Sequence, residues 1–425
     1  MSRAECKHKA RRTSKTPPCD KVCRLLHFDR DALAQTAAIA DTGDDMKRLI
    51  PIICVTALLV TAAGGCKKDS GTASTSDIII GHYASLSGAQ SDFGVSCNDG
   101  AKLAIRQANA KGGVLGKQVK LVVEDTESKT ETTTSVVQKL ISSDHCNAIL
   151  GEVASTRSRA GGRICQDKRI PMLSPASTNP EVTRIGDYVF RICFTDDFQG
   201  PVAAKFAAAK GWKKVAVLTD SANDYSKGLS KSFKETFPKS GGTIVTEEFY
   251  PKDTRDFSTL LNKIKASNPD AVFASGYYSE MILVIPQARQ VGLNIPFFGG
   301  DGWDSPEILK LGGGADNCYF TNHYSPDDQR PEVLAFIKDY QAEYSKTPDA
   351  MAVLGYDAAN VMIDAIKRAG SAAPDKIRDA LAKTTDFPAV TGKITIDAER
   401  NARKPIVIVR IQGNNLKLEQ AINPD

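Results

Sequence analysis

The sequence predicts an α/β protein built on two doubly wound parallel sheets. Beyond Asp77, short apolar runs alternate with amphipathic segments of helical period, the pattern of parallel strands covered by helices on both faces. The chain has 425 residues, enough for about two or three compact units. After a first series of such elements the rhythm restarts at Gly200, and two sheets in succession account for the length better than one very large sheet. A composition of 41% apolar and 25% charged residues excludes a largely disordered chain.

Each element has a local reason. Ile78 to Ile80 is a short buried strand, and Gly94 to Lys111 a helix stopped by Gly112-Gly113. Strand Val119 to Glu124, helix Thr130 to Ser143, strand Ala148 to Leu150, helix Ser155 to Lys168 and strand Pro171 to Leu173 follow. The second series runs through helix Gly200 to Lys210, strand Val215 to Leu218, helix Lys227 to Phe237 and strand Thr243 to Phe249. It continues with helix Phe257 to Ala266, strand Ala271 to Phe273, helix Glu280 to Val291, and strands Pro296 to Phe298 and Cys318 to Thr321. Helices Pro331 to Tyr344 and Met351 to Ala369 come after the second sheet is complete, so some are expected to pack back onto the first.

Charge narrows the partners. Residues 1–65 hold 11 Lys/Arg against 7 Asp/Glu, leaving 44 against 43 in the rest, a net of +1. Such a body offers no electrostatic footprint for nucleic acid or an anionic membrane surface, and no nucleic acid is expected as a partner. Only His82, His145 and His323 lie beyond residue 65, so no histidine-built metal centre is expected. Each of the three reads as an ordinary strand-end or loop residue.

The front end has another character. Met46-Lys47-Arg48, the apolar run Leu49 to Ala63 and Gly64-Gly65-Cys66 read as a secretory signal, with a run too short to span a bilayer. Residues 46–65 are the expected signal peptide and 66–76 a polar tether. Cys66 after Ala63-Gly64-Gly65 resembles a bacterial lipobox, which usually has Leu where Ala63 stands, so lipidation at Cys66 is expected and ordinary cleavage is the alternative. Cys6, His8, Cys19, Cys23 and His27 lack a zinc spacing, and residues 1–45 are expected to be an untranslated or disordered extension.

Enzyme motifs find no match. Gly112 to Lys117 is one residue short of a phosphate loop, has Gln118 where Ser or Thr belongs, and leads from a helix into a strand. Gly-x-Ser-x-Gly, Ser-x-x-Lys and His-Glu-x-x-His do not occur, and Asp196-Asp197 and Asp327-Asp328 read as helix-capping acids in turns. No catalytic residue and no cofactor are expected.

Two loops at carboxyl ends of strands are rich in small hydroxyls: Gly151 to Thr156, which opens a helix, and Ser174 to Pro180. Amides and hydroxyls converging from both suit a carboxylate, while helix capping alone would explain them equally well. Here the chain resembles the periplasmic leucine/isoleucine/valine-binding proteins, the type I solute-binding components of amino-acid ABC transporters. The resemblance runs from Asp77 nearly to the end, through Leu86-Ser87-Gly88, Asn109 to Gly113, Pro175 to Glu181, Gln199-Gly200-Pro201, Asp256 to Leu260, Gly276-Tyr277 with Glu280, and Gln287-Ala288-Arg289.

The resemblance implies two lobes joined by a three-segment hinge, residues 77–194 plus 324–396 and residues 196–321 plus 398–425. Ser155 and Ala176, Ser177 and Thr178 match positions that hold the ligand carboxylate. Tyr225, Tyr277 and Asp301 match positions on the opposite lobe, with Asp301 pairing to the ammonium where the family typically has glutamate. Phe93 and Met351 match apolar positions beside the ligand side chain, and Glu152 stands where neutral or weakly basic residues are common. A small disulfide of some members is absent, its positions matching Glu127 and Ala154, and the odd set Cys97, Cys146, Cys165, Cys193 and Cys318 leaves at least one thiol unpaired. The implied function is extracytoplasmic capture of a small, aliphatic amino acid by hinge closure and delivery to an inner-membrane permease, by a lipid-anchored monomer. A sensor of the same fold, or binding of an amide or another small solute, is the alternative. A repressor of this fold would need an N-terminal helix-turn-helix where the leader stands.

Overall fold

The computed structural model describes residues 77–423. The extension, signal, Cys66 and tether readings lie outside the described residues. The first half alternates β1 (Ile78–Ala84), α1 (Ser91–Ala110), β2 (Val119–Asp125), α2 (Thr130–Ser142), β3 (Ala148–Leu150), α3 (Ser155–Lys168), β4 (Met172–Ser174) and β5 (Val189–Arg191). These strands form a five-stranded, wholly parallel sheet in the order β2-β1-β3-β4-β5.

The chain then crosses into α4 (Asp196–Ala209), β6 (Lys214–Asp220), α5 (Asp224–Thr236), β7 (Thr243–Tyr250), α6 (Ser258–Ala266) and β8 (Ala271–Ala274). Next come α7 (Tyr278–Gln290), β9 (Phe297–Gly299), α8 (Pro306–Leu309) and β10 (Tyr319–Asn322). Strands β7-β6-β8-β9-β10 are parallel neighbours, and successive residues of β6 feed opposite cores. Val215 and Val217 pack on one face and Ala216 and Leu218 on the other, as a strand covered on both sides requires.

After β10 come α9 (Pro331–Tyr344), α10 (Ala350–Ala369) and α11 (Pro374–Leu381), then a small antiparallel sheet of β11 (Phe387–Ala389), β12 (Gly392–Ile396) and β13 (Ala402–Arg403). Helix α10 lies along α1 of the first half, and two glycines set how close. A Cβ on Gly100 would stand 1.9 Å from the Ala352 carbonyl oxygen, and one on Gly355 would stand 2.0 Å from that of Cys97. Val333, Phe336 and Tyr340 of α9 join the same core with Leu103 of α1 and Val353 of α10.

The chain ends in β14 (Ile406–Gln412) and β15 (Asn415–Ile422), which return to the second sheet. Both pair antiparallel, β14 on β10 and β15 on β14, so the second sheet has a parallel core and an antiparallel edge. A parallel addition would need another long crossover, whereas two residues, Gly413 at φ 58° and Asn414, close this hairpin.

Helix α4 begins four residues before the expected Gly200, which leaves Pro201 inside it. Asp196 and Asp197 occupy its first turn, and Pro201 withholds one backbone amide from the helix ladder. All five cysteines among the described residues are free and buried.

Candidate functional site

The carboxyl ends of the strands in both sheets face one cleft, and the loops that leave them supply its walls. From the first sheet come the segment after β1 that opens α1 with Phe93, the β3–α3 loop with Val153 and Ser155, and the loop after β4 with Ala176 and Thr178. The second sheet contributes Tyr225 after β6, Tyr277 after β8, and Asp301 and Gly302 after β9, while Met351 of α10 completes the wall. Together they line a nearly closed gap with room of about 10 Å3 for a water-sized sphere.

The first-sheet wall is a lattice of small hydrogen-bonding groups. The Ser155 hydroxyl accepts the Asn179 amide at 3.2 Å, which ties the two loops together. Ser177 does not line the cavity: its hydroxyl lies 3.0 and 2.8 Å from the Glu152 and Val153 carbonyl oxygens and 2.7 Å from Ser158 Oγ, so it holds the loop in shape. Thr178 is buried, and its Oγ1 makes no hydrogen bond of regular geometry, with the Asp196 carboxyl beside it.

Glu152 is also turned away from the cavity. Its carboxylate accepts Ser85 Oγ at 2.5 Å and the Ala154 amide at 2.7 Å, and Arg157 Nε lies 3.0 Å from Oε1. Burial acts to raise its carboxyl, but the Arg157 guanidinium, Ser85 and the Ala154 amide outweigh burial and leave it below the ordinary value. Glu152 is thus an internally paired ion.

The second-sheet wall is aromatic around one acid. Tyr225 and Tyr277 stack at 5.0 Å, and Phe93 meets Tyr277 edge-on at 5.7 Å. The Tyr225 hydroxyl accepts the Gly302 amide at 3.0 Å. Asp301 sits in a short turn with glycine on either side, where a Cβ at Gly300 would stand 2.3 Å from the Tyr225 hydroxyl. Its amide donates to Gln199 Oε1 at 2.9 Å, and its Oδ2 lies 3.0 Å from His323 Nε2. Oδ1 is buried without a partner.

The two walls touch along the cleft. Arg159 pairs with Asp224 at 2.5 Å, the Asn179 amide group donates to the Asp224 carbonyl at 2.7 Å, and Ser305 Oγ donates to Asp92 Oδ2 at 2.7 Å. Asp304 Oδ2 accepts the Ala350 amide at 2.7 Å, so an acid from the second half caps the start of α10. The cleft is shut.

The family profile described as periplasmic binding protein matches residues 77–415. The chain belongs to that family. A leucine binding protein, LivK, of Thermotoga maritima is 38% identical and superposes with a TM-score of 0.78, covering 82% of this chain and 99% of its own. The substrate binding protein LivJ of a branched-chain amino acid transporter from Streptococcus pneumoniae, solved with isoleucine, is 33% identical with a TM-score of 0.77 over the same shares. The leucine-, isoleucine-, valine-, threonine- and alanine-binding protein of Pseudomonas aeruginosa is 30% identical over 314 residues, 73% of this chain and 83% of its own length. Among the described residues of this periplasmic binding protein no helix is long and apolar enough to cross a membrane.

Of the residues singled out from sequence, Phe93, Ser155, Ala176, Thr178, Tyr225, Tyr277, Asp301 and Met351 share the cavity, and Ser177 and Glu152 stand behind it. The sequence reading gave no site role to Val153, Gln199 or His323. His323 follows directly on the carboxyl end of β10, the position that marks a cleft residue in a parallel sheet.

Proposed function

We propose that this chain captures a small amino acid with an aliphatic side chain and hands it to an ABC permease. One observation carries the reading: the cavity is shut with two unmet buried polar atoms, a hydroxyl on one wall and a carboxylate oxygen on the other. Thr178 Oγ1, beside Ser155, suits a ligand carboxylate, and Asp301 Oδ1 suits an ammonium. Phe93, Tyr277 and Met351 supply an apolar surface for the side chain. The LivK and LivJ likenesses support the same substrate class.

The working bodies are residues 77–194 with 324–396 and residues 196–321 with the tail, swinging about the three crossings between them. Contacts from both walls exist only when the cleft is shut, so ligand draws the population to the closed form, which docks on the permease. The chain acts outside the cytoplasm as a monomer, held to the membrane by lipid on Cys66. Mass spectrometry of the membrane-extracted protein is expected to find a diacylated N-terminal Cys66, and a mature chain beginning elsewhere removes the anchor.

A thermal-shift series over the amino acids tests the ligand. A ligand that binds only the native state adds about 2.7 kcal/mol at a hundredfold excess over its Kd, so leucine, isoleucine or valine is expected to raise Tm by several degrees. No shift with any amino acid, together with a shift from an amide or an aromatic acid, overturns the substrate class.

A further inference from the structure

We infer that His323 is a positioning residue for the ligand ammonium: its imidazole N–H holds one oxygen of Asp301 so that the other alone meets the cavity. The inference rests on the amino-acid reading above. Parallel neighbours β9 and β10 bring the two residues together, although 22 positions separate them, because each follows the carboxyl end of its strand. The His323 side chain is wholly buried, and its Nε2 lies 3.0 Å from Asp301 Oδ2. Its ring lies flat on Phe194 at 3.8 Å and 17°, and Phe194 belongs to the first segment that crosses between the sheets. His323 lies in the second such segment, so the anchor is braced by two crossings at once.

The chemistry of the pair fixes the proton. Burial pushes the ring down to about 4, which leaves a neutral imidazole with one N–H and one lone pair. A carboxylate only accepts, so the hydrogen belongs on Nε2, and Nδ1 is left without a partner. Asp301 therefore gains a hydrogen bond that fixes its rotamer and gains no neutralising charge. The groups around the pair do not neutralise it by contact either: the ionisable neighbours are Asp196 of α4, Cys193, Asp304, Tyr225, Tyr277 and Lys404, and Lys404 Nζ has no hydrogen-bond partner. The second carboxylate oxygen is left open for a cation that enters the cavity.

Two substitutions separate positioning from packing. His323→Phe keeps a ring against Phe194 and loses the donor; His323→Gln keeps an amide donor and loses the ring. Calorimetry with L-leucine and with 4-methylpentanoate, which lacks the amine, reads the result. His323→Phe is expected to weaken leucine about tenfold while 4-methylpentanoate changes little, and His323→Gln to recover most of the leucine affinity. Equal losses for both probes, or recovery by Phe and not by Gln, assign His323 to packing and overturn the inference. If neither variant folds, nitrogen-15 NMR of the wild-type histidines decides it: a neutral Nε2–H tautomer for His323 is expected, and an Nδ1–H tautomer overturns it. Wild-type protein that ignores leucine, isoleucine and valine defeats the amino-acid reading and this inference with it, whereas wild-type binding without separation of the variants defeats this inference alone.

Discussion

Glu152 on one wall of the cleft and Asp301 on the other are both buried carboxylates beyond the end of a strand, each with a donor nitrogen at 3.0 Å. They differ in what that nitrogen carries. Arg157 brings a full positive charge to Glu152, and Ser85 and the Ala154 amide fill out its oxygens. His323 brings Asp301 a hydrogen bond without a charge, and one oxygen is left over. A buried charge without a counter-ion is costly, so the first carboxylate belongs to the fold and the second is completed from outside. The position of a carboxylate in a cleft says little about its role. Its unmet bonds say more.

The largest expected effect breaks the comparison on the first wall. Glu152→Ala strands Arg157 as a buried, uncompensated cation, and removing one partner of such a pair costs about 3–5 kcal/mol. A denaturant melt of the ligand-free protein is expected to show that loss, with the preference between neutral and basic amino acids unchanged. If stability holds and basic amino acids lose their affinity, Glu152 faces the ligand after all.

On the second wall the costs reverse. Asp301→Asn replaces the one acid among the residues that line the cavity, and leucine affinity is expected to fall about a hundredfold or more. The ligand-free fold is expected to melt no lower than wild type, because an unpaired buried charge goes with the substitution. Wild-type affinity in calorimetry would remove Asp301 from the site.

The smallest effect sharpens the comparison by pH. His323 is held below its ordinary 6.5, at about 4, so between those values the unfolded chain binds a proton that the folded chain refuses. Stability falls as pH drops through that window. Glu152 is held below 4.5, so its contribution is complete above about pH 4.5 and is lost as pH falls through its lower folded value. Asp349 and Glu280, each pushed up to about 7 chiefly by burial, act in the opposite sense, so the comparison is variant against wild type at each pH. His323→Gln is expected to lose less stability than wild type between about pH 6.5 and 4, and Glu152→Gln to differ in slope only below about 4.5. Coincident windows for the two variants would mean that the two walls titrate as one network.

Much of the architecture was legible because its signals are local. Helices α3 and α9 and strand β3 have the bounds that their periodicity and flanking residues suggest, and Pro331 starts α9 where a missing amide hydrogen costs nothing. Helix α4 was misread at its start because Gly200-Pro201 looks like an opening, while the first turn lies on Asp196 and Asp197. Strand β5 lacks such a signal because its short apolar run ends in a buried arginine. The wall residues in the loops after β3, β4 and β9 are legible through the resemblance, since such motifs are contiguous.

The sequence by itself determined the alternation of strands and helices, the kinship of the chain and the residue types available to a cleft, because each is written in neighbouring positions. The tertiary structure decided which of these groups are already satisfied. Ser177 and Glu152 belong to the same loops as Thr178 and Ser155, yet their bonds are filled from within. Asp301 and His323 are far apart in the chain and share one hydrogen bond that leaves one oxygen open. Satisfaction of a buried polar atom depends on every atom within about 3 Å of it, and only the folded chain brings those atoms together.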